Sequence, residues 1–189
     1  TFHKTVPNPM YAPTYLLVGA NRGIAQASFQ GQLVTVIKVL DKPHLLTTLI
    51  VHELAHFQQA MSMGGPKYIS LYGKPNNMLE LCLREGGAEF ITHRVLNTLT
   101  LEKGLEYLQK NEQKIKTKFV NDLKNQQSKY WLWESLNQDD HPKLLGYVLG
   151  YKVCKAYYEL SEDKEQAIKD ILVMENAIQF TETSRYLAE

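Results

Sequence analysis

The sequence contains one short motif, His52-Glu53-Leu54-Ala55-His56, in which three residues separate two histidines. In a helix, residues four positions apart lie on one face, one turn from each other, so both imidazoles can bind the same ion. Glu53 lies about 100° around the helix from His52, which is a suitable place for a base that activates water beside a metal. The motif therefore predicts a metal site with a general base, carried on a helix that faces a cleft.

The residues around the motif predict that this helix extends over residues 45–63. Apolar side chains recur at intervals of three and four on the side away from the histidines, as expected for a face that packs in a core. Asp41 is the predicted N-cap, and Gly64-Gly65-Pro66 is predicted to end the helix. Two histidines that only satisfy hydrogen bonds are the alternative, which the rarity of the pattern disfavours. The apolar face consists of Leu46, Ile50, Leu54, Phe57 and Met61.

Composition fits a globular protein and gives no support to several other classes. Apolar residues make up 44% and charged residues 22% of the 189 residues, and the formal net charge of +1 gives no electrostatic argument for nucleic acid. No apolar run is long enough to span a membrane. Cys82 and Cys154 are too few for a disulfide framework and are predicted to be core thiols. The sequence begins at Thr1 rather than Met, so we expect that a targeting segment can have been removed.

Two strand-like runs, residues 14–18 and 32–39, precede the metal helix and predict a small sheet beside it. The segment between them, with Asn21-Arg22-Gly23 and Gly31, is predicted to be a loop. The edge of such a sheet can receive an extended peptide by strand addition, and a plain scaffold is the alternative. We expect one domain over residues 1–189, in which residues 1–66 form the sheet and metal helix and residues 67–189 form a helical lobe.

A second helix, predicted from residue 78 to about residue 99, carries the candidate third ligand. Glu85 and Glu89 lie one turn apart on one face. A catalytic zinc site needs a third protein ligand, which we assign to Glu85, and Glu89 is placed to accept the N–H of a ligating histidine. Exchange of these two roles and ligation by His93 are the alternatives. The two glycines Gly86 and Gly87 lower the stability of this helix. Close approach to the metal helix would explain their presence.

A third helix is predicted over residues 143–160, with Asp140-His141-Pro142 at its start. Gly146, Gly150 and Cys154 recur every four residues and form a smooth face that lets another element come close. Tyr147 and Tyr151 flank this face, and the residues alone leave open whether they act on a substrate or pack a helix interface.

The remaining helices are predicted to be structural. Residues 101–123 form one amphipathic helix with a solvated charged face. Trp131 and Trp133 are predicted to anchor the lobe rather than bind a ligand. Ser161-Glu162-Asp163 is predicted to cap the last helix.

The ordered motifs resemble a known group of enzymes. His52-Glu53-Leu54-Ala55-His56 followed by Arg84-Glu85-Gly86-Gly87-Ala88-Glu89 resembles the gluzincin metallopeptidases, whose third zinc ligand is a glutamate on a similar helix. The chain more closely resembles the predicted zinc-dependent proteases of bacteria, and the gliding-motility lipoprotein family has a related pattern. The resemblance also includes residues 15–19, 131–133 and 146–151.

The resemblance implies an α+β, mostly α, zincin-like fold with a small N-terminal sheet, the motif helix and a C-terminal helical lobe, and one Zn²⁺ per chain. It implies that His52, His56 and Glu85 are zinc ligands, that Glu53 is the catalytic base and that Glu89 is the acid behind a ligating histidine. In several gluzincins a tyrosine in a Y-x-x-G string donates to the oxyanion. This role passes to Tyr147, with Tyr151 as the second candidate.

We therefore predict a zinc-dependent peptide hydrolase that acts on a peptide or protein and has no nucleic-acid partner. The alternative is a zinc-stabilised binding or assembly module at the cell envelope, without turnover. Glu53 argues against this alternative, because a structural zinc site needs ligands and no base. The resemblance implies a bacterial protein, either exported or at the cell envelope with its signal removed, or cytoplasmic. The oligomeric state is left open.

Overall fold

The computed structural model describes residues 2–18, 24–28, 30–74, 77–125, 128–133 and 142–188. It is mostly helical with a small three-stranded sheet, which confirms the predicted α+β, mostly α class. Within the described residues, no helix combines the length and apolar character needed to cross a membrane. The elements are α1 (Phe2–Thr5), β1 (Thr14–Leu17), β2 (Ala25–Ser28), β3 (Gly31–Thr35), α2 (Pro43–Met63), α3 (Gly65–Gly73), α4 (Met78–Leu96), α5 (Glu102–Lys110), α6 (Glu112–Asn125), α7 (Leu145–Leu160), α8 (Lys164–Val173) and α9 (Ala177–Ser184).

The sheet has the order β1-β3-β2, with β3 parallel to β1 and antiparallel to β2. Both β2 and β3 contact α2, so the prediction of a sheet beside the metal helix is confirmed. The second predicted strand was too long, because the chain leaves β3 at Thr35 and forms a 3₁₀ turn over Val36–Lys38. β2 was not predicted; it forms by pairing with β3 and is an edge strand of the described sheet.

The central helix is α4, which packs against α2 and α7 and also contacts α1, α3, α8 and α9. Its closest approach is to α7, where Gly86 faces Gly150 so tightly that a methyl group on Gly86 would overlap the neighbouring backbone. The predicted smooth face of α7 is therefore confirmed. The predicted partner of Gly86 was wrong, because it is α7 rather than the metal helix. Gly87 does face α2, where it lies against Gln59.

Two clusters of buried apolar side chains hold these helices. The first joins α2, α4, α7, α8 and α9 around residues such as Leu54, Leu83 and Ile171. The second joins α4 and α7 to α5 and α6, with Trp131 fully buried at its centre. Trp131 thus anchors the lobe as predicted. Both cysteines are free and buried, as predicted.

Several predicted helix ends differ from the structure. Lys42, not Asp41, precedes the first residue of α2. The helix ends at Met63, and Gly64 follows it with a φ of 84°, as predicted, but Gly65 and Pro66 begin α3. The helix predicted over residues 101–123 is two helices, α5 and α6, which break at Asn111. Asp163 caps α8 by accepting a hydrogen bond from the N–H of Gln166, which confirms the predicted cap, but α8 is not the last helix because α9 follows it. The predictions for residues 19, 21–23, 140 and 141 lie outside the described residues; α7 itself begins at Leu145.

Candidate metal centre

Three ligand-type atoms from α2 and α4 meet where the two helices cross. Nε2 of His56 lies 3.1 Å from Nε2 of His52 and 3.1 Å from Oε2 of Glu85. Nε2 of His52 lies 3.6 Å from the same oxygen. All three residues are buried, and their atoms form a cluster that can hold a metal ion.

The spacing of these atoms fits zinc. Tetrahedral coordination with bonds of about 2.0–2.1 Å places ligand atoms about 3.3 Å apart. The three observed separations, from 3.1 to 3.6 Å, lie on either side of this value. Two imidazoles and one carboxylate are a donor set that zinc accepts. Because two imidazole nitrogens face one another, a shared cation or proton is needed between them. The residues present therefore fit a zinc ion.

The second nitrogen of His52 faces Glu89. Nδ1 of His52 lies 3.1 Å from Oε1 of Glu89, close enough for an ion pair although the angle falls short of a well-formed hydrogen bond. Glu89 in turn accepts hydrogen bonds from the backbone N–H and the hydroxyl of Thr100. A carboxylate held in this way fixes the orientation of the histidine in front of it. The structure thus places Glu89 behind His52, on the side away from Glu85 and His56.

The second nitrogen of His56 faces Gln59, one turn further along α2. Nδ1 of His56 lies 2.9 Å from Oε1 of Gln59, and the amide nitrogen of Gln59 donates to the carbonyl of Arg84 at 2.9 Å. The hydroxyl of Tyr68 on α3 is also near, at 3.3 Å from the same nitrogen. Both histidines therefore have a polar group behind them, but the two groups differ in charge.

Charges within the cluster shift the pKa of each member in the metal-free protein. Burial by itself lowers the pKa of His52, but contacts with Glu85 and Glu89 outweigh it, so the pKa lies well above its usual range. The pKa of His56 is raised by Glu85 against the same effect of burial. Burial favours a neutral Glu85, but the two histidines hold its pKa far below normal. Protons and a metal ion therefore compete for the same atoms.

Glu53 lies in the same cleft as the three clustered residues. Burial raises the pKa of its carboxyl group, and the charges of His56 and His52 partly oppose this effect. Its carboxylate also accepts a hydrogen bond from the backbone of Ala27 in β2. The residue is thus held beside the cluster but outside the set of three converging atoms.

The two candidate tyrosines of α7 lie in different surroundings. Tyr147 lines the cleft, where burial and the charge of Glu85 raise the pKa of its hydroxyl group. Tyr151 is in the apolar core and is not among the residues that line the cleft. Its hydroxyl lies 3.0 Å from Nδ1 of His93, which is neither in the cluster nor among the described residues that line the cleft. The structure thus brings Tyr147, but not Tyr151, to the cleft.

The cleft has a volume of about 850 Å³ and an apolar lining around the polar cluster. Apart from tyrosines, the charged or titratable side chains among the described lining residues are the three residues of the cluster, together with Glu53 and Glu89. Residues 25–27 of β2 form one wall. The apolar lining consists of Ile24, Val39, Leu45, Leu49, Ile69, Leu101, Trp133 and Leu144.

Several residues of this site were not predicted from the sequence. Gln59 lies three positions after His56, so its spacing offered a signal that it could reach that histidine. Thr100 offered no such signal in the sequence, because its contact with Glu89 depends on the turn after α4. Tyr68 and Tyr72 on α3 line the cleft and also went unpredicted. Trp133, expected to anchor the lobe, lines the cleft instead and is 42% exposed.

A buried group of two histidines and one glutamate, next to a cleft and on crossing helices, defines a candidate metal-binding protein. The chain belongs to the family described as "Predicted Zn-dependent protease (DUF2268)", which matches residues 16–179. This match confirms the resemblance to predicted zinc-dependent proteases. No curated protein and no solved structure matches the chain.

Proposed function

We propose that this protein is a zinc-dependent peptide hydrolase of the gluzincin type with a zincin-like fold. In this proposal His52, His56 and Glu85 hold one zinc ion. A bound zinc ion supplies Lewis acidity, which polarises a carbonyl group and lowers the pKa of water. The observation that carries the proposal is the position of Glu53, which shares the cleft with three converging ligand atoms.

Glu53 is the proposed general base. It removes a proton from the attacking water and delivers it to the leaving amine. Burial raises the pKa of its carboxyl group from that of an exposed glutamate towards working pH, which suits a group that must both accept and release a proton. The contact with the backbone of Ala27 restrains its carboxylate.

Tyr147 is the proposed oxyanion donor. Its hydroxyl is in the cleft, and its raised pKa keeps it protonated at working pH. A phenol that stays protonated can donate a hydrogen bond to the developing negative charge on the carbonyl oxygen.

The proposed substrate is an extended peptide with apolar side chains near the cleaved bond. The backbone of β2 bonds to β3 through alternate residues, as the bond from Thr35 N–H to the carbonyl of Ile24 shows. The backbone N–H and carbonyl groups of Ala25 and the carbonyl group of Ala27 therefore point to the other edge, towards the cleft that they line, whereas the N–H of Ala27 contacts Glu53. A peptide strand can pair with this edge, while the apolar lining accepts its side chains.

Glu53→Gln tests the proposal. The wild-type protein is expected to bind one zinc ion and to cleave peptides from a library, with a preference for apolar residues beside the cleaved bond. The variant is expected to keep its zinc and thermal stability but to lose about 10²–10⁴-fold in kcat/KM, because only the proton transfer is removed. Metal content by mass spectrometry and cleavage by chromatography provide the two measurements.

The same pair of proteins tests the alternative of a binding module without turnover. Such a module would hold zinc in both proteins and cleave no peptide in either. Zinc binding by wild type without any hydrolysis would therefore contradict the enzyme and leave the metal site intact. Hydrolysis that is equal in wild type and variant would contradict the role of Glu53.

A further inference from the structure

We infer that Gln59 is a positioning residue that fixes the tautomer and the ring orientation of His56, so that Nε2 of His56 presents a lone pair to a metal ion. This inference rests on the proposed role of His56 as a ligand. Gln59 is fully buried, and both ends of its side-chain amide are engaged. Its oxygen lies 2.9 Å from Nδ1 of His56, and its nitrogen lies 2.9 Å from the carbonyl oxygen of Arg84.

The carbonyl group of Arg84 determines which way the amide of Gln59 points. A backbone carbonyl oxygen only accepts hydrogen bonds, so the amide nitrogen of Gln59 must face it. The reverse orientation would place two oxygens against each other in a buried site, which costs free energy. The amide oxygen of Gln59 is therefore turned towards His56.

This orientation in turn determines the tautomer of His56. An amide oxygen only accepts, so Nδ1 of His56 must carry a proton to bond with it. In the neutral ring the other nitrogen, Nε2, then has the lone pair. This is the nitrogen that lies 3.1 Å from both Nε2 of His52 and Oε2 of Glu85. The form of the ring set by Gln59 is therefore the one that can bind a metal there.

Tyr68 is the competing partner of the same nitrogen. Its hydroxyl lies 3.3 Å from Nδ1 of His56, and if it donated there, the proton of the neutral ring would sit on Nε2. Tyr68 has another partner, the hydroxyl of Tyr72 at 3.1 Å, to which it can donate. The contact of His56 with Gln59 is shorter, at 2.9 Å, and Gln59 offers only an acceptor. Gln59 thus excludes the tautomer that could not bind metal.

The amide of Gln59 also links the two ligand-bearing helices. Its acceptor on α4 is the carbonyl of Arg84, the residue immediately before Glu85. A shift of α4 against α2 would therefore disturb the bond between Gln59 and Arg84 as well as the contact between His56 and Glu85. Gly87 leaves the space for this amide, since an added methyl group there would lie 3.2 Å from the nitrogen of Gln59.

The chain offers a matched control in the adjacent residue, Gln58. This residue is also buried on α2, and its amide bonds to both the N–H and the carbonyl of Met10 in the N-terminal segment. Gln58→Met and Gln59→Met therefore each remove two hydrogen bonds from a buried amide and leave a side chain of similar size. Only the second change touches the metal centre.

The test compares zinc affinity, by competition with a chelator, and the thermal stability of the metal-free proteins. Gln59→Met is expected to lose about 10–100-fold in zinc affinity, the usual effect of removing the partner of a ligating histidine. Gln58→Met is expected to lose similar stability but to bind zinc like wild type. Equal affinity for Gln59→Met and wild type, or an equal loss for Gln58→Met, would overturn the inference.

Two further variants separate positioning from a purely structural role. Gln59→Glu keeps an acceptor for His56 but buries a carboxyl group, so we expect it to be less stable than Gln59→Met yet to bind zinc more tightly. Gly87→Ala adds a methyl group 3.2 Å from both the amide nitrogen of Gln59 and Cγ2 of Ile171, so we expect it to lose stability, as Gln58→Met does, but to bind zinc more weakly than Gln58→Met. Zinc affinity that simply follows stability across all variants would overturn the inference.

These measurements separate a failure of the inference about Gln59 from a failure of the proposed hydrolase. Wild-type protein that binds zinc but cleaves no peptide would overturn the proposed hydrolase, while the effect of Gln59 on affinity would still support the inference. Wild-type protein with no affinity for zinc would overturn both.

Discussion

Tyr147 and Tyr151 lie one turn apart on α7, but their hydroxyl groups have different neighbours. Tyr147 lines the cleft beside Glu85, whereas Tyr151 contacts His93 and packs against Phe90 in the core. Sequence spacing could not separate the two, because both lie near the same glycine face. The packing of α7 against α4 separates them, since it determines which hydroxyl reaches the cleft.

Replacement of each tyrosine by phenylalanine tests this difference. Tyr147→Phe is expected to lower kcat by about 10²–10³-fold with zinc still bound, because the proposed oxyanion donor is lost. Tyr151→Phe loses only its contact with His93, so we expect a loss of about 1 kcal/mol in unfolding free energy and little change in kcat. Steady-state kinetics and urea unfolding measure both effects. A larger loss of kcat in Tyr151→Phe than in Tyr147→Phe would reverse the assignment.

The residues predicted at the metal centre share one property, which is that short-range spacing in a helix brings them together. His52 and His56 are fixed by the turn of one helix, and Glu85 and Glu89 by the turn of another. Thr100 reaches Glu89 only because the chain turns back after α4, and no periodicity in the sequence encodes that turn. Contacts of this kind need the tertiary structure.

At the scale of the elements, the contact between α4 and α7 depends on paired glycines. A methyl group on Gly86 would overlap the backbone of Gly150 and Tyr151, and one on Gly150 would overlap the carbonyl group of Cys82. Two glycines inside buried helices lower helix propensity, so the gain must come from the close approach. That approach places Tyr147 and Glu85 in the same cleft.

Gly86→Ala is therefore expected to destabilise the protein by about 1–3 kcal/mol, despite the better helix propensity of alanine. Gly73→Ala is the matched control, because a methyl group on Gly73 at the end of α3 meets no atom within 4 Å. We expect that change to be neutral or to stabilise by up to about 1 kcal/mol. Urea unfolding of both variants provides the comparison, and equal stability would show that the two helices can separate without cost.

The elements that sequence analysis missed are those whose formation depends on neighbours. Residues 25–28, Ala-Gln-Ala-Ser, have no β-branched or aromatic side chain, so local propensity did not predict β2. The strand exists because β3 pairs with it. The break between α5 and α6 was not predicted either, because the spacing of apolar residues continues across Asn111 as it would in one helix. By contrast, α2 and α4 were predicted because their patterns are long and periodic.

At the scale of the whole molecule, the candidate metal centre lies where elements distant in sequence meet. Its lining comes from β2, α2, α3, α4, the segment after α4 and α7. Arg84 extends this connection, because its guanidinium group donates to the carbonyls of Leu172 and Val173 at the end of α8. The residue before Glu85 thus connects α4 to the C-terminal part of the fold. Binding of a metal should therefore stabilise the whole protein.

The pH dependence of stability follows from the pKa shifts in the metal-free protein. The pKa values of His52 and His56 are raised above the ordinary 6.5, so their contribution to stability is complete below that pH and is lost as pH rises through the raised values. The pKa of Glu53 is raised from 4.5, so it acts in the same direction, but its contribution already begins to fall above that pH. Glu85 and Glu89 are lowered from 4.5, so their contribution is present above that pH and is lost in more acidic solution.

We therefore expect the metal-free protein to be most stable between about pH 4.5 and 6.5 and to lose stability at higher pH. Zinc needs the deprotonated ligands, so its stabilising effect should have the opposite trend. The rise in Tm on adding zinc should then be larger at about pH 8 than at about pH 5.5. Glu85→Gln, which removes the shared carboxylate, should reduce both trends. Melting curves with zinc and with a chelator measure them, and a zinc effect independent of pH would show that zinc does not displace protons from these residues.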